Sequence, residues 1–208
     1  MLTFYHSPQS CSNGILLLLH EVGAAFETRI IDLRAGDQRR AEYLAQNTKG
    51  KVPALGLPDG SVLTEFPAIA MWLADSFPEA GLAPDSAIKR ARISEMLDYI
   101  VGSVHMRGFT FDKMPQKFLS DPAGQATLRA HGRAEVARGL GFLSNALGHS
   151  AFLLGDFSAA DAALFYVLDW AEQDGGYDLP ANLERCLARI RTRPACLAAA
   201  PLLRRPQG

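Results

Sequence analysis

Val52-Pro53-Ala54-Leu55-Gly56-Leu57-Pro58-Asp59-Gly60-Ser61-Val62-Leu63-Thr64-Glu65-Phe66-Pro67 decides how the first half of the chain folds. Val52 to Leu57 is strand-like, and Pro58-Asp59-Gly60 supplies a turn: a fixed φ, a side-chain acceptor, then a residue that tolerates positive φ. Ser61 to Thr64 returns as the partner strand of a hairpin. A helix then opens at Glu65-Phe66-Pro67, with proline suited to its first turn. Ile69, Trp72, Leu73 and Phe77 recur at helical spacing and would pack on a sheet.

Working back toward the N-terminus, residues 2–6 alternate and stop at Ser7-Pro8, which reads as a short strand. Ser10 is placed to cap a helix from about Cys11 to Val22, with Ile15, Leu18, Leu19 and Val22 inward and Gly23 ending it. Phe26 to Leu33 reads as a second strand, and a polar helix is expected between Asp37 and Gln46. The order is βαβ followed by ββα, a mixed four-stranded sheet with helices. Working forward, Phe77 to Ala87 turns to Pro, Gly, Ala and Ser, a linker composition. Beyond it the patterning is helical throughout. Ile93, Leu97, Ile100 and Val104 mark one helix; Leu128, Val136, Leu140, Leu143 and Leu147 mark a helical region interrupted by glycines. Leu183, Leu187 and Ile190 mark a later one, behind Pro180. Ser158-Ala159-Ala160-Asp161 forms a capping box ahead of Ala162 to Leu168, a helix apolar nearly all round and therefore central. These boundaries give an α/β domain over residues 1–78 and an all-helical domain over 87–208.

With 208 residues, both halves are long enough to bury a core. Apolar residues at 48% and charged residues at 21% exclude a disordered chain. A net charge of -1 gives no global attraction to nucleic acid or to an anionic membrane. No apolar run approaches the roughly 18 residues of a membrane span. The N-terminus lacks a basic region and a small-residue cleavage site, so no signal peptide is expected and the cytoplasm is the expected location. Cys11, Cys186 and Cys196 are odd in number and far apart, which argues against a disulfide framework. The five histidines show no metal-ligand spacing, so no metal site is expected. Arg204-Arg205 reads as a frayed, solvated tail.

Tyr5-His6-Ser7-Pro8-Gln9-Ser10-Cys11-Ser12 resembles the first strand–helix junction of bacterial glutathione transferases, the beta class in particular. Val52-Pro53-Ala54-Leu55 resembles the family's cis-proline segment, and Thr64-Glu65 with Ala68-Ile69 the start of its glutathione-binding helix. Phe152-Leu153-Leu154-Gly155-Asp156-Phe157-Ser158-Ala159-Ala160-Asp161 is similar to its C-terminal capping motif. The likeness covers roughly residues 1–200, four motifs in the family's order. It implies a thioredoxin-like N-terminal domain, an all-α C-terminal domain, glutathione as co-substrate, a homodimer, and conjugation of the glutathione thiolate to small hydrophobic electrophiles. Glutathione-dependent thiol–disulfide exchange and a non-catalytic binding module on the same fold are the alternatives.

The resemblance places glutathione against Lys51, Val52, Pro53, Glu65, Phe66 and Asp98. A cis Val52-Pro53 bond would turn the Val52 N–H and C=O toward an extended peptide. The helix start near Phe66 would meet a carboxylate, and Glu65 an ammonium. Phe66 departs from the family, which carries a small hydroxyl residue there; losing a hydrogen bond to a charged group costs about 1.5–3 kcal/mol. On that reading Phe66→Ser would strengthen glutathione binding.

Family chemistry needs a thiolate, and lowering a thiol pKa by two units takes about 2.7 kcal/mol. Helix N-termini supply about 0.3–2 kcal/mol of that, and a hydroxyl or thiol donor would supply more. Cys11 aligns with the beta-class cysteine and Ser10 lies beside it; Tyr5 competes for the role. A free cysteine is ordinarily a small buried hydrophobe and a serine here an N-cap, and these readings stand beside the catalytic ones. His105 resembles the beta-class histidine that approaches the thiol. Asp98 lies seven residues earlier, two α-helical turns, which would put both on one face. Met106 to Phe111 departs from the family's lysine-containing stretch.

Overall fold

The computed structural model describes residues 1–174 and 176–205 and divides the chain into two compact units. One comprises Met1–Pro84 together with the chain from Ile190 onward; the other is Asp85–Arg189.

The first unit carries β1 (Leu2–His6), α1 (Ser12–Glu21), β2 (Phe26–Ile30), a 3₁₀ turn at Asp37–Arg39, α2 (Ala41–Leu44), β3 (Ala54–Gly56), β4 (Val62–Thr64) and α3 (Phe66–Ser76). The sheet order is β2-β1-β3-β4. β1 pairs parallel with β2 and antiparallel with β3, which pairs antiparallel with β4. The hairpin closes where the turn residues predict: Gly60 has φ 87, and Asp59 Oδ1 accepts from the Ser61 N–H at 2.9 Å. Gly23 ends α1 with φ 62.

α1 is more deeply buried than its periodicity suggests, because Leu16 and Leu17 are as inaccessible as Ile15, Leu18 and Leu19. α9 (Pro194–Leu203) packs on α1 in the same unit. The boundary drawn from sequence gave residues 87–208 to one domain; the structure groups the chain from Ile190 with the first unit. Arg193 forks onto the Glu21 carboxylate at the end of α1 with Nη2–Oε2 at 2.9 Å. Arg205 reaches Asp32 at 3.2 Å, so the expected frayed tail is tethered at that residue.

The second unit contains α4 (Ala87–Tyr99), α5 (Thr110–Lys113), α6 (Pro122–Leu147), α7 (Ala159–Asp174) and α8 (Ala181–Arg191), whose last turn crosses the division at Ile190. Between α4 and α5 the helix continues as a π-helix over Ile100–Phe109, shown by the Thr110 N–H bonding back five residues to the His105 carbonyl. α6 is one continuous helix through its glycines. They shorten no helix; two of them let α6 approach its neighbours. A Cβ on Gly132 would lie 2.5 Å from the Asp112 backbone N, and one on Gly139 2.7 Å from Val104. α7 is central as expected, with every residue from Ala159 to Asp169 buried. Asp161 holds its start: its carboxylate accepts from the Ser158 N–H and the Leu153 N–H, both at 2.9 Å. Among the described residues no helix is long and apolar enough to cross a membrane.

Candidate functional site at the start of α1 and α3

The β1–α1 junction sets the first part of the site. Successive residues of β1 face opposite sides of the sheet, so Tyr5 and His6 diverge. Tyr5 packs with Ile31, Tyr43 and Ala54, its ring 5.4 Å from that of Tyr43. His6 turns to the side of Phe4, their rings stacked at 5.4 Å. Tyr5 is thereby committed to a hydrophobic cluster, on the opposite face of β1 from His6.

After β1 the chain passes through Gln9 at φ 64, a left-handed conformation without a glycine. It delivers Ser10 and Cys11 to the first turn of α1. Ser10 Oγ accepts from the Ser12 N–H at 3.1 Å, the capping role read from sequence. Cys11 donates its thiol proton to the Val52 carbonyl at 3.5 Å. Burial pushes the Cys11 thiol up to about 12, against the pull of the Cys11 and Ser12 backbone N–H groups. Glu65 raises it further and Lys51 opposes, so both charges act on this sulfur.

Val52-Pro53 is a cis peptide bond, as the motif implied. Around it, the Lys51 carbonyl accepts from Tyr43 Oη at 2.5 Å and from Asn47 Nδ2 at 2.8 Å, while the Lys51 side chain is exposed. Glu65 stands at the start of α3 with φ 73, the second non-glycine residue in left-handed φ space. Two such residues, each costing about 1–3 kcal/mol, bracket the candidate site; strain of this kind collects where function over-determines the backbone. The Glu65 side chain makes no capping bond to α3. Its carboxylate instead holds Lys49 Nζ at 2.9 Å, with Thr64 Oγ1 on the same ammonium at 2.8 Å.

Phe66 is only 3% exposed, a core side chain under the first turn of α3. What position 66 can offer a ligand is its backbone, since its side chain faces inward.

In the second unit, His105 Nδ1 lies 3.3 Å from Tyr166 Oη, and its ring meets that of Trp170 edge-on at 4.9 Å. Asp98 is exposed on α4. Between them the helix passes into the π-helical segment, where hydrogen bonds span five residues rather than four. Cys186 and Cys196 are buried packing residues, as expected.

Three participants escaped the sequence reading. Lys49 sits in an irregular turn with no periodicity to mark it. His6 and Ser12 did carry a signal. Leu2, Phe4 and His6 share one strand face, and a polar residue on a buried face needs a partner.

The fold, the cis-proline turn and the strained start of α3 define a thioredoxin-like domain followed by a helical one. This chain belongs to the glutathione S-transferase family. The family's N-terminal domain model matches residues 10–76 and its C-terminal domain model residues 126–199. Glutathione S-transferase GstA of Escherichia coli O157:H7 is 37% identical over 183 residues, 86% of this chain and 85% of that one. A glutathione transferase homolog from Sulfitobacter, solved with bound glutathione, matches with a TM-score of 0.90 at 27% identity over 97% of each chain. The bacterial beta-class enzyme of Sphingomonas chungbukensis matches at 0.82 and 33% identity, over 96% of this chain and 97% of that one. The family consists of transferases that use glutathione as co-substrate.

Proposed function

We propose that this protein binds glutathione at the start of α1 and α3 and conjugates it, through its thiolate, to small hydrophobic electrophiles. The observation that carries this reading is Glu65, held at φ 73 ahead of α3 with its carboxylate already on an ammonium, that of Lys49. Both partners are about half exposed, and an ion pair of that kind is worth only about 0–1 kcal/mol. A ligand ammonium therefore displaces Lys49 at little cost, while the ligand carboxylate meets the N-terminus of α3. Val52 presents its backbone to the cysteinyl segment, and Lys51 adds positive charge near the sulfur.

In this reading Cys11 acts as a hydrogen-bond donor. A thiol pushed up to about 12 is neutral at pH 7, which suits S–H donation to a bound thiolate and suits nucleophilic attack on a disulfide poorly. Glutathione supplies the attacking sulfur; a carbon–sulfur bond forms and the leaving group departs with its electron pair. Ser10 serves as the cap that aims Cys11. His105 as a catalytic residue and Asp98 as a glutathione contact rest on family likeness.

The test is the pH profile of conjugation to an activated aryl chloride. Cys11→Ala should slow it roughly five- to thirtyfold, about 1–2 kcal/mol, and raise the apparent thiol pKa. An unchanged profile would remove Cys11 from the reaction, and failure to be retained on immobilised glutathione would remove the reading altogether. We also propose a cytoplasmic, detoxifying homodimer. Sedimentation at micromolar concentration should give twice the chain mass, and a species of 22.5 kDa would exclude the dimer.

A further inference from the structure

Four hydrogen-bonding groups behind Cys11 form an unbroken chain, and elementary valence orders its protons. The His6 ring is fully buried, with Nε2 2.8 Å from the Leu202 carbonyl of α9. A carbonyl only accepts, so Nε2 carries the hydrogen. Burial also holds the imidazole below its ordinary basicity, so it is neutral and Nδ1 is a bare acceptor. Ser12 Oγ lies 2.7 Å from Nδ1. Its single proton must go there, although the Ser7 carbonyl at 3.1 Å is within reach. Ser12 Oγ then accepts from the Ser7 N–H at 3.1 Å and from Ser10 Oγ at 2.7 Å. Ser10, accepting from the Ser12 N–H, must be the donor in that last pair. The order runs Ser10 to Ser12 to His6 to Leu202.

We propose that His6 is a positioning residue which, through Ser12, turns the Ser10 proton inward and so leaves Cys11 as the thiol donor at the β1–α1 junction. Its importance to catalysis rests on the glutathione-binding reading above; the proton order itself does not. Without Nδ1, the Ser12 proton is free to choose the Ser7 carbonyl or Ser10 Oγ. In the second case Ser10 regains a proton it can offer to the neighbouring sulfur.

Two measurements, neither using glutathione, test this. In the ¹⁵N-labelled full-length protein at pH 7, His6 should show the neutral Nε2–H tautomer; an Nδ1–H tautomer or an imidazolium overturns the proton order. The second is alkylation of Cys11 by iodoacetamide at pH 8, Cys186 and Cys196 being buried. His6→Asn keeps an acceptor near the place of Nδ1, and His6→Gln keeps only a donor near that of Nε2. His6→Asn should react at the wild-type rate. His6→Gln should react severalfold to about tenfold faster, the effect of one hydrogen bond to a charged sulfur. Adding Ser10→Ala to His6→Gln should cancel the increase. An unchanged rate in His6→Gln, or an increase that survives Ser10→Ala, overturns the proposal, the latter by revealing mere loosening of the junction. If the variants fail to fold, the tautomer of the unmodified protein still decides. Loss of glutathione binding with the tautomer as expected would sink the functional reading alone.

Discussion

Cysteines at helix starts are often ionised, because backbone N–H groups there favour negative charge. At Cys11 burial outweighs that pull; at Cys186, inside α8, burial acts with Asp161 adding to it and Arg189 opposing; both thiols are pushed up to about 12 from an ordinary 9.0. Each therefore holds its proton more tightly folded than unfolded. The stabilisation this gives is complete below pH 9 and is lost as pH rises from 9 toward 12. Urea midpoints measured from pH 7 to 11 should fall above pH 9, and less steeply in Cys186→Ala; parallel curves would exclude the thiols as the cause. Phe66 is a second case in which burial changes the expectation. Reading the sequence alone, a serine there restores a ligand contact. With the ring in the core, Phe66→Ser leaves a cavity and costs about 3–5 kcal/mol, as for other buried phenylalanines. Calorimetry should show unchanged or weaker glutathione binding and differential scanning a lower Tm; tighter binding at unchanged Tm would place the ring outside the core.

At the scale of elements, the glycines of α6 separate two kinds of site. Gly141 faces open space, so Gly141→Ala gains helix propensity, about 1 kcal/mol. Gly132 faces the Asp112 backbone, which has no side chain to swing aside. Gly132→Ala should cost about 1–3 kcal/mol. Denaturant unfolding of the two variants should shift in opposite directions, and equal shifts would mean α6 is not packed through Gly132. Glycines in a helical pattern read as interruptions because propensity is a local quantity and close approach is not. The hairpin, α3 and α7 were legible because Pro58-Asp59-Gly60, Pro67 and Ser158 with Asp161 determine their backbone locally. The π-helix was hidden. Ile93, Leu97, Ile100 and Val104 fit α spacing, and nothing nearby in the chain announces the wider turn. In the candidate site, Cys11, Val52 and Glu65 lay on recognisable junctions, whereas Lys49 depends on a contact across 16 residues of chain.

For the molecule as a whole, the division into units does not follow chain order. α9 covers α1, and its last carbonyls are capped by the junction that carries Cys11. Leu202 receives His6 Nε2 at 2.8 Å, while Leu203 receives the Gln9 N–H at 3.1 Å and Asn13 Nδ2 at 3.2 Å. Periodicity names a face and never its partner, so nothing local in the sequence marks α9 as the helix that meets α1. A chain ending at Arg193 should therefore lose hydrogen-exchange protection in α1 while α7 keeps its own. Protection of α1 unchanged by the truncation would show that α9 is dispensable to the first unit.

This arrangement also has a consequence in time. A ribosome adds about 5–20 residues per second, so Asp85–Arg189 emerges several seconds after the sheet is complete and before α9 exists. The second unit is continuous in sequence and has all its parts once Arg189 is made. The first must wait for α9, which packs on α1, until the final segment arrives. During synthesis the half of the protein made first is the half finished last, and in that interval the part of α1 that α9 will meet is the surface a chaperone would find.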